Sequence, residues 1–456
     1  MADTFPLVTR ELDHSIAYLA RPLNLVGLNA GIIDTRTFLS HVYAVAEQIP
    51  NGQFAINLCE NRYLFMVSFC AVIVRGHTNL LPANKNITTQ QQLLNDYYNG
   101  YIIHDGGEVC ESAAALDITT VKLQGCRPAI HVPKIANDQL ACISFTSGST
   151  GSSKPNLKYW HTLHRSSAIN YTFMVNQPHQ TLFQLATVPA QHMWGLETSV
   201  LLPMFSDVCA CDAKPLFAQD ITDTLANLPE PRMLVSTPVH LRALSGTSDA
   251  PPLHLILCAT SPLTTTLAAQ MEEKFSATLK EVYGCSEVGS MAVRRTANDQ
   301  HWRLFDGIRF DQQDENTLAS ADHLPTPTVL QDFIHFTDPT HFTLAGRATD
   351  LIKIAGKRGS LFEINQRLLN FAGLDDGIVL LPESDKAVPR LCAIVALKAG
   401  FDKADLLRYL KQHLDSAFVP RPVYVIEALP REPNGKLLKV KLDALLAGLR
   451  TKKRAE

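Results

Sequence analysis

The sequence predicts an α/β fold: a large N-terminal domain of parallel or mixed sheets flanked by helices, followed by a small α+β C-terminal lobe. Three observations carry this expectation. Strand-like and helix-like runs alternate across the first two thirds of the 456 residues, the βαβ rhythm of a parallel sheet. The composition is that of a globular chain, 46% apolar and 19% charged with 23 Gly and 26 Pro, which excludes disorder, collagen and coiled coil. Charge is divided unevenly: residues 348–456 hold 19 Lys/Arg against 13 Asp/Glu, so residues 1–347 are net acidic although the whole chain is only −3. The division has two readings, an accidental difference between solvated faces or a cationic lobe that closes over an anionic ligand. The near-neutral total argues against nucleic acid as a partner.

The elements follow in order. Phe54-Ala55-Ile56-Asn57-Leu58 reads as a strand, residues 62–75 as an apolar helix, and Thr78-Asn79-Leu80-Leu81 as a second strand ended by Pro82. The same grammar returns at Ala141-Cys142-Ile143-Ser144-Phe145, at Met233-Leu234-Val235-Ser236 and at Leu253 to Cys258, with a helix from Thr265 to Phe275. Lys280-Glu281-Val282-Tyr283 is a short strand running into a glycine turn. Residues 311–328, polar and containing Pro, read as a loop or irregular β region. Beyond Gly346, strands at Gly377–Leu381 and Leu391–Leu397 and an amphipathic helix at Ala404–Leu414 suit a separate α+β lobe. The terminal Arg450, Lys452, Lys453 and Arg454 read as a frayed, solvated end.

Ten cysteines lie mostly inside apolar runs, without a C-x-x-C pair, and are expected as reduced core residues. The N-terminal Met-Ala-Asp-Thr-Phe-Pro has neither a basic nor an apolar leader region, so a cytoplasmic location is expected. The most apolar stretch, Phe65 to Val74, is about half the length a bilayer span needs, so no transmembrane segment is expected.

The strongest chemical signal follows a strand: Phe145-Thr146-Ser147-Gly148-Ser149-Thr150-Gly151-Ser152-Ser153-Lys154-Pro155. Two glycines let backbone N–H groups converge, the hydroxyls add donors and Lys154 adds a point charge, together a cradle for phosphates. The Walker pattern fails because Pro155 follows the lysine. The competing reading, a Ser/Gly-rich linker, sits poorly behind a buried-type strand. Three further segments are Val282-Tyr283-Gly284-Cys285-Ser286-Glu287, Gly346-Arg347-Ala348-Thr349-Asp350-Leu351-Ile352-Lys353-Ile354-Ala355-Gly356, and Leu429-Pro430-Arg431-Glu432-Pro433-Asn434-Gly435-Lys436. The last carries a turn signature that presents Lys436 at a loop tip.

In their order and spacing these four segments resemble the adenylate-forming superfamily of acyl- and aryl-CoA synthetases, luciferases and nonribosomal peptide adenylation domains, and the resemblance covers nearly the whole chain. It implies a mobile C-terminal lobe and a division into residues 1–347, the AMP-binding domain, and 348–456, the lobe with the catalytic lysine. It implies that Thr146, Ser147, Gly148, Ser149, Thr150 and Gly151 cradle the ATP phosphates with Lys154. Tyr283 then stacks on adenine beside Gly284, Ser286 touches the α-phosphate, and Glu287 holds Mg²⁺, as a hard cation requires of an anionic oxygen. Asp332 accepts the ribose hydroxyls, Arg347 opens the hinge segment, Gly356 faces a pantetheine tunnel, and Lys436 enters for adenylation.

Val188-Pro189-Ala190-Gln191-His192-Met193-Trp194-Gly195 resembles the segment where synthetases carry an aromatic or His beside the substrate carboxylate, which makes His192 a donor to carboxylate or phosphate or else a buried core histidine. Thr260 and Ser261 stand along the adenine, with Ala259 where the superfamily has glycine. Thr349 likewise replaces an aspartate of the hinge. The implied activity is ATP-dependent ligation of an apolar acyl or aryl acid to a phosphopantetheine thiol, of CoA or of an acyl carrier protein. A nucleotide-binding pseudoenzyme is the rival reading, encouraged by Thr349 and Ala259 and opposed by Lys154, Glu287 and Lys436.

Overall fold

The computed structural model describes residues 3–147, 153–176, 180–215, 217–248, 250–313, 316–347, 350–354, 356–382, 390–432 and 435–455. Two large sheets are built from the predicted βαβ units. The first has six strands in the order Ser153–Tyr159, Leu140–Ser147, Thr78–Leu81, Phe54–Asn57, Gly100–His104 and Ala115–Asp117, parallel throughout except for the hairpin of the first two. The second has eleven strands. Its parallel centre runs Thr278–Cys285, Leu255–Cys258, Arg232–Ser236, Leu182–Ala186, Val208–Cys211 and Ser15–Leu19, and antiparallel strands extend both ends. The sheets are thus mixed, with parallel strands in the buried middle, where both faces are covered.

Between the sheets lies the helix Arg62–Val74. It shares one core with Leu81 and Tyr101 of the first sheet and Ile16 and Leu19 of the second, as a helix apolar on every side must. Asn61 starts it by accepting from the Leu64 N–H at 3.1 Å. Its single charged residue, Arg62, is buried and donates to Ala186 O (2.9 Å), Val188 O (2.8 Å) and the Ser199 hydroxyl. The guanidinium therefore fixes the strand end from which residues 188–196 depart toward the cleft.

Residues expected as a loop or irregular β form a regular antiparallel sheet of Ile308–Gln313, Asn316–Ala321 and Thr328–Leu330. The inward positions of its central strand are Thr317, Ala319 and Ala321, small residues that give almost no hydrophobic alternation to read.

After residue 350 a separate core forms around Ile352, Leu368, Leu374, Val395, Leu406 and Leu410. Three strands, Leu374–Leu380, Cys392–Leu397 and Val423–Val425, carry helices Leu361–Leu369 and Lys403–His413, the latter started by a reciprocal Asp402–Asp405 capping box. The expected frayed terminus instead lies in the last turns of a helix, Lys439–Ala455. Eight of the ten cysteines are buried and all are unpaired. Among the described residues no helix is long and apolar enough to cross a membrane.

Candidate active site

The phosphate-loop hairpin is formed by Leu140–Ser147 and Ser153–Tyr159, in register Thr146↔Lys154 and Ser147↔Ser153. Gly148, Ser149, Thr150 and Gly151 lie outside the described residues. Lys154 is exposed.

The second segment leaves strand Thr278–Cys285 and turns into Gly289–Arg294, with a register shift between Tyr283 and Gly284. Glycine is needed twice in this turn. A Cβ on Gly284 would stand 2.4 Å from Gly289 O, and Gly289 has φ +98° with Glu197 Oε1 only 2.5 Å from where its Cβ would be. The Tyr283 hydroxyl donates to Asp332 Oδ2 at 2.9 Å, and Arg347 Nε donates to Asp332 Oδ1 at 2.9 Å. Asp332 and Arg347 face each other across the antiparallel pair Asp332–Phe336 and His341–Arg347. Burial and the Asp332 charge push the Tyr283 phenol well above its ordinary pKa, so it stays a donor. Three residues predicted from separate segments form one hydrogen-bonded group.

In the loop Ala259–Pro262 the strained residue is Thr260, a β-branched side chain at φ +89° next to the Ala259 that stands in the place of glycine. The loop is held on both sides, by Ala259 N to Ser236 O (3.4 Å) and by Leu263 N to the buried Glu281 carboxylate (3.0 Å). Thr260 Oγ1 is buried without a hydrogen-bond partner in the structure, a polar atom left for a ligand. Ser261 is half-buried beside it.

His192 precedes the short helix Met193–Leu196. Gly195 lets this helix press against the preceding turn, since a Cβ there would lie 1.9 Å from Pro189 O. His192 Nδ1 is buried and unpartnered, and burial, aided by the charge of Lys436, lowers the imidazole pKa to about 3. The ring is neutral at physiological pH and keeps one N–H to donate. Of the apolar residues that follow His192, Met193 and Leu196 belong to the core around Arg62–Val74, while Trp194 belongs to the same buried cluster as Ala259 and Val288 and its indole N–H donates to Ser236 O at 3.3 Å.

Lys436 comes from the lobe. Arg431 makes two bonds to Asp376 (2.6 and 2.7 Å) and a third to Gly435 O (2.7 Å), while Gly435, at φ +80°, packs against Thr237 of the large domain. The loop so held brings Lys436 into the electrostatic reach of Arg347, Glu287, Cys285 and His192. Crowding by protein lowers the Lys436 pKa and Arg347 lowers it further, while the Glu287 carboxylate opposes both. Burial pushes the Cys285 thiol up to about 12, so it is uncharged here. Gly356, at φ +81° in the turn between strands Leu351–Ile354 and Lys357–Ser360, has nothing within 4 Å of an added Cβ and is not joined to this cluster.

Glu287 is exposed, with Ser286 half-buried before it. Among the described residues no three His, Cys, Asp or Glu are grouped to hold a metal. A single carboxylate fits Mg²⁺, which keeps most of its water and takes phosphate oxygens as its other ligands.

Sequence reasoning passed over two buried charges, Lys158 and Glu197. Lys158 Nζ donates to Glu287 O at 2.6 Å, and Glu197 accepts from Ser290 N (3.1 Å), Ser290 Oγ (2.8 Å) and Asn170 Nδ2 (3.3 Å). A lone glutamate in the run Leu196-Glu197-Thr198-Ser199-Val200-Leu201 was the available signal.

A large mixed α/β body is thus followed by a small lobe whose Lys436 lies within electrostatic reach of Glu287, Arg347 and His192. A family model described as AMP-binding enzyme matches residues 53–313, more than half of the chain, and the chain belongs to that family. A curated relative, the 4-coumarate--CoA ligase of Rhodobacter capsulatus, is 27% identical over 297 residues, 64% of this chain and 73% of that protein. Gramicidin S synthase 2 of Brevibacillus brevis is 35% identical over 92 residues, 20% of this chain and 2% of the synthase. Among solved structures, the anthranilate CoA ligase AuaEII in complex with anthranoyl-AMP aligns with TM-score 0.79 at 12% identity, covering 96% of this chain and 99% of that one. ATP-bound MatB from Rhodopseudomonas palustris aligns with TM-score 0.78 at 17% identity, covering 95% and 97%. At these identities the likeness is one of fold, and it is the two-domain adenylate-forming fold that the sequence implied.

Proposed function

We propose that the chain is an AMP-forming acid–thiol ligase, with an adenylating domain at 1–347 and a lobe at 348–456. The observation that carries the reading is that Lys436 lies within electrostatic reach of His192, Glu287 and Arg347, the last hydrogen-bonded in one group with Asp332 and Tyr283, although these residues come from five segments of the sequence. In this reading a carboxylic acid attacks the α-phosphorus of ATP, giving acyl-AMP and pyrophosphate, and a thiol then displaces AMP. Lys436 and Lys154 neutralise charge that grows on the phosphate oxygens, and the neutral His192 donates its N–H to the acid carboxylate or the α-phosphate. Thr146 to Gly151 and Ser286 supply phosphate donors, while Tyr283, Gly284, Thr260 and Ser261 border the adenine. Asp332, aligned by Tyr283 and Arg347, takes the ribose hydroxyls. Mg²⁺, held through Glu287, would supply further charge neutralisation on the phosphates.

The acid is apolar, acyl or aryl, a preference supported by the apolar Trp194 two residues after His192. The thiol is that of CoA or of an acyl carrier protein, with Gly356 toward the pantetheine in the thioester step. The test is a panel of acids scored by pyrophosphate release and by hydroxamate trapping of acyl-AMP, with CoA and a holo-carrier offered in turn. Turnover of an apolar acid is expected. MgATP binding with no pyrophosphate from any acid would instead support the pseudoenzyme.

A further inference from the structure

We propose that Lys158, acting together with Glu197, is a positioning residue that ties strand Ser153–Tyr159 to the Glu287 turn and so sets the backbone from which Glu287 reaches its metal. The inference rests on the ligase reading and adds to it two residues that touch neither substrate nor metal. Lys158 lies on strand Ser153–Tyr159, four residues from Lys154 and opposite Cys142, and is 2% exposed. A lysine so placed gives up its hydration, and burial lowers its pKa against the pull of Glu197 and Glu287. What the buried ammonium secures is specific: its Nζ meets the main-chain carbonyl of Glu287 at 2.6 Å, leaving the Glu287 carboxylate exposed to the cleft. From the other side of the same turn, Glu197, 3% exposed, accepts the Ser290 N–H and hydroxyl and abuts the Cα of Gly289. Residues 287, 289 and 290 are thereby fixed by two opposite charges carried on separate elements. One of those elements is the hairpin strand Ser153–Tyr159, so that strand and the Glu287 turn keep one relative position.

The experiment compares wild type, Lys158→Met and the charge-balanced Lys158→Met/Glu197→Gln. ATP binding is measured by calorimetry with Mg²⁺ and with EDTA, alongside thermal unfolding and the KM of an accepted acid. Removing an outer-shell support of a metal ligand costs about 10–100-fold in metal affinity. The expected result is a loss of about that size in MgATP affinity, with metal-free ATP affinity and the KM for the acid nearly unchanged. It should persist in the double variant after its melting temperature has returned toward wild type, and where Lys158→Met does not fold the double variant decides. Wild-type MgATP affinity in a folded double variant overturns the proposal, as does equal weakening with and without Mg²⁺. A wild-type protein that binds no MgATP overturns the ligase reading itself, and the brace with it.

Discussion

Two lysines attend Glu287, and they do so differently. Lys158 sits on a sheet strand, buried, with its ammonium on the Glu287 carbonyl; Lys436 rides on a lobe loop, open to the cleft, within electrostatic reach of the Glu287 carboxylate. The first position is rigid because a strand paired along its length leaves the side chain one place to go. The second depends on docking: Arg431 and Gly435 hold the loop against Thr237, a contact that ends if the lobe turns. In the proposed reaction the contrast separates a charge held in the sheet throughout from one that the lobe delivers for a single step.

The largest expected effect breaks this contrast from the mobile side. Lys436→Ala should lower acyl-AMP formation by about a thousandfold, the scale for removing a charge donor from a developing oxyanion. Given presynthesised acyl-AMP and the accepted thiol, the same variant should form thioester at near wild-type rate. Equal impairment of both half-reactions, measured by quenched-flow, would refute the division of labour. Glu287→Gln comes next. It retains the carbonyl that Lys158 holds and removes the charge that Lys436 faces, so Mg²⁺-dependent kcat/KM should fall about a hundredfold with little change in melting temperature.

A smaller effect tests how the docked loop is held. Arg431→Gln loses the bidentate Asp376 bond and the bond to Gly435 O, and should cut adenylation about tenfold through kcat. Asp376→Asn should do the same, and the double variant should add little, since both residues belong to one contact. Full additivity in the double-mutant cycle would show that Arg431 acts without Asp376.

How much of this was legible in the sequence follows from the range of each interaction. The parallel strands and the helix Arg62–Val74 were readable because hydrophobic runs of fixed length report burial directly. Tyr283, Arg347 and Lys436 could be proposed from the sequence because each sits in a short segment with its own residue pattern, and Asp332 from its spacing to Arg347, although the hydrogen bonds that join Tyr283, Asp332 and Arg347 could not. The antiparallel sheet at 308–330 was hidden by its small inward residues. Thr260 was legible as a residue of the adenine stretch, but its left-handed backbone was not, because that torsion is set by contacts made to Ser236 and Glu281, distant in sequence. Lys158 was missed for a related reason. A lysine on a strand reads as solvated unless the partner that buries it, here 129 residues away, is known.

The smallest effect at neutral pH separates the two lysines by titration. Lys436 must be cationic to act, and its pKa is lowered by crowding and by Arg347, so adenylation should fall as pH rises through a value below that of a free lysine. Neither Cys285, pushed up to about 12, nor His192, lowered to about 3, changes charge in that window. Lys158 is also lowered by burial, so an alkaline limb alone does not identify its source. Lys436→Arg supplies the distinction, because a guanidinium keeps its charge across the range while Lys158 is untouched. The variant should lose a few-fold at pH 7 from altered geometry, yet hold its rate to higher pH than wild type in a profile of pyrophosphate release at saturating MgATP. Identical alkaline limbs in the two proteins would show that the titrating group is not Lys436, and would overturn the assignment of the alkaline limb to the delivered lysine.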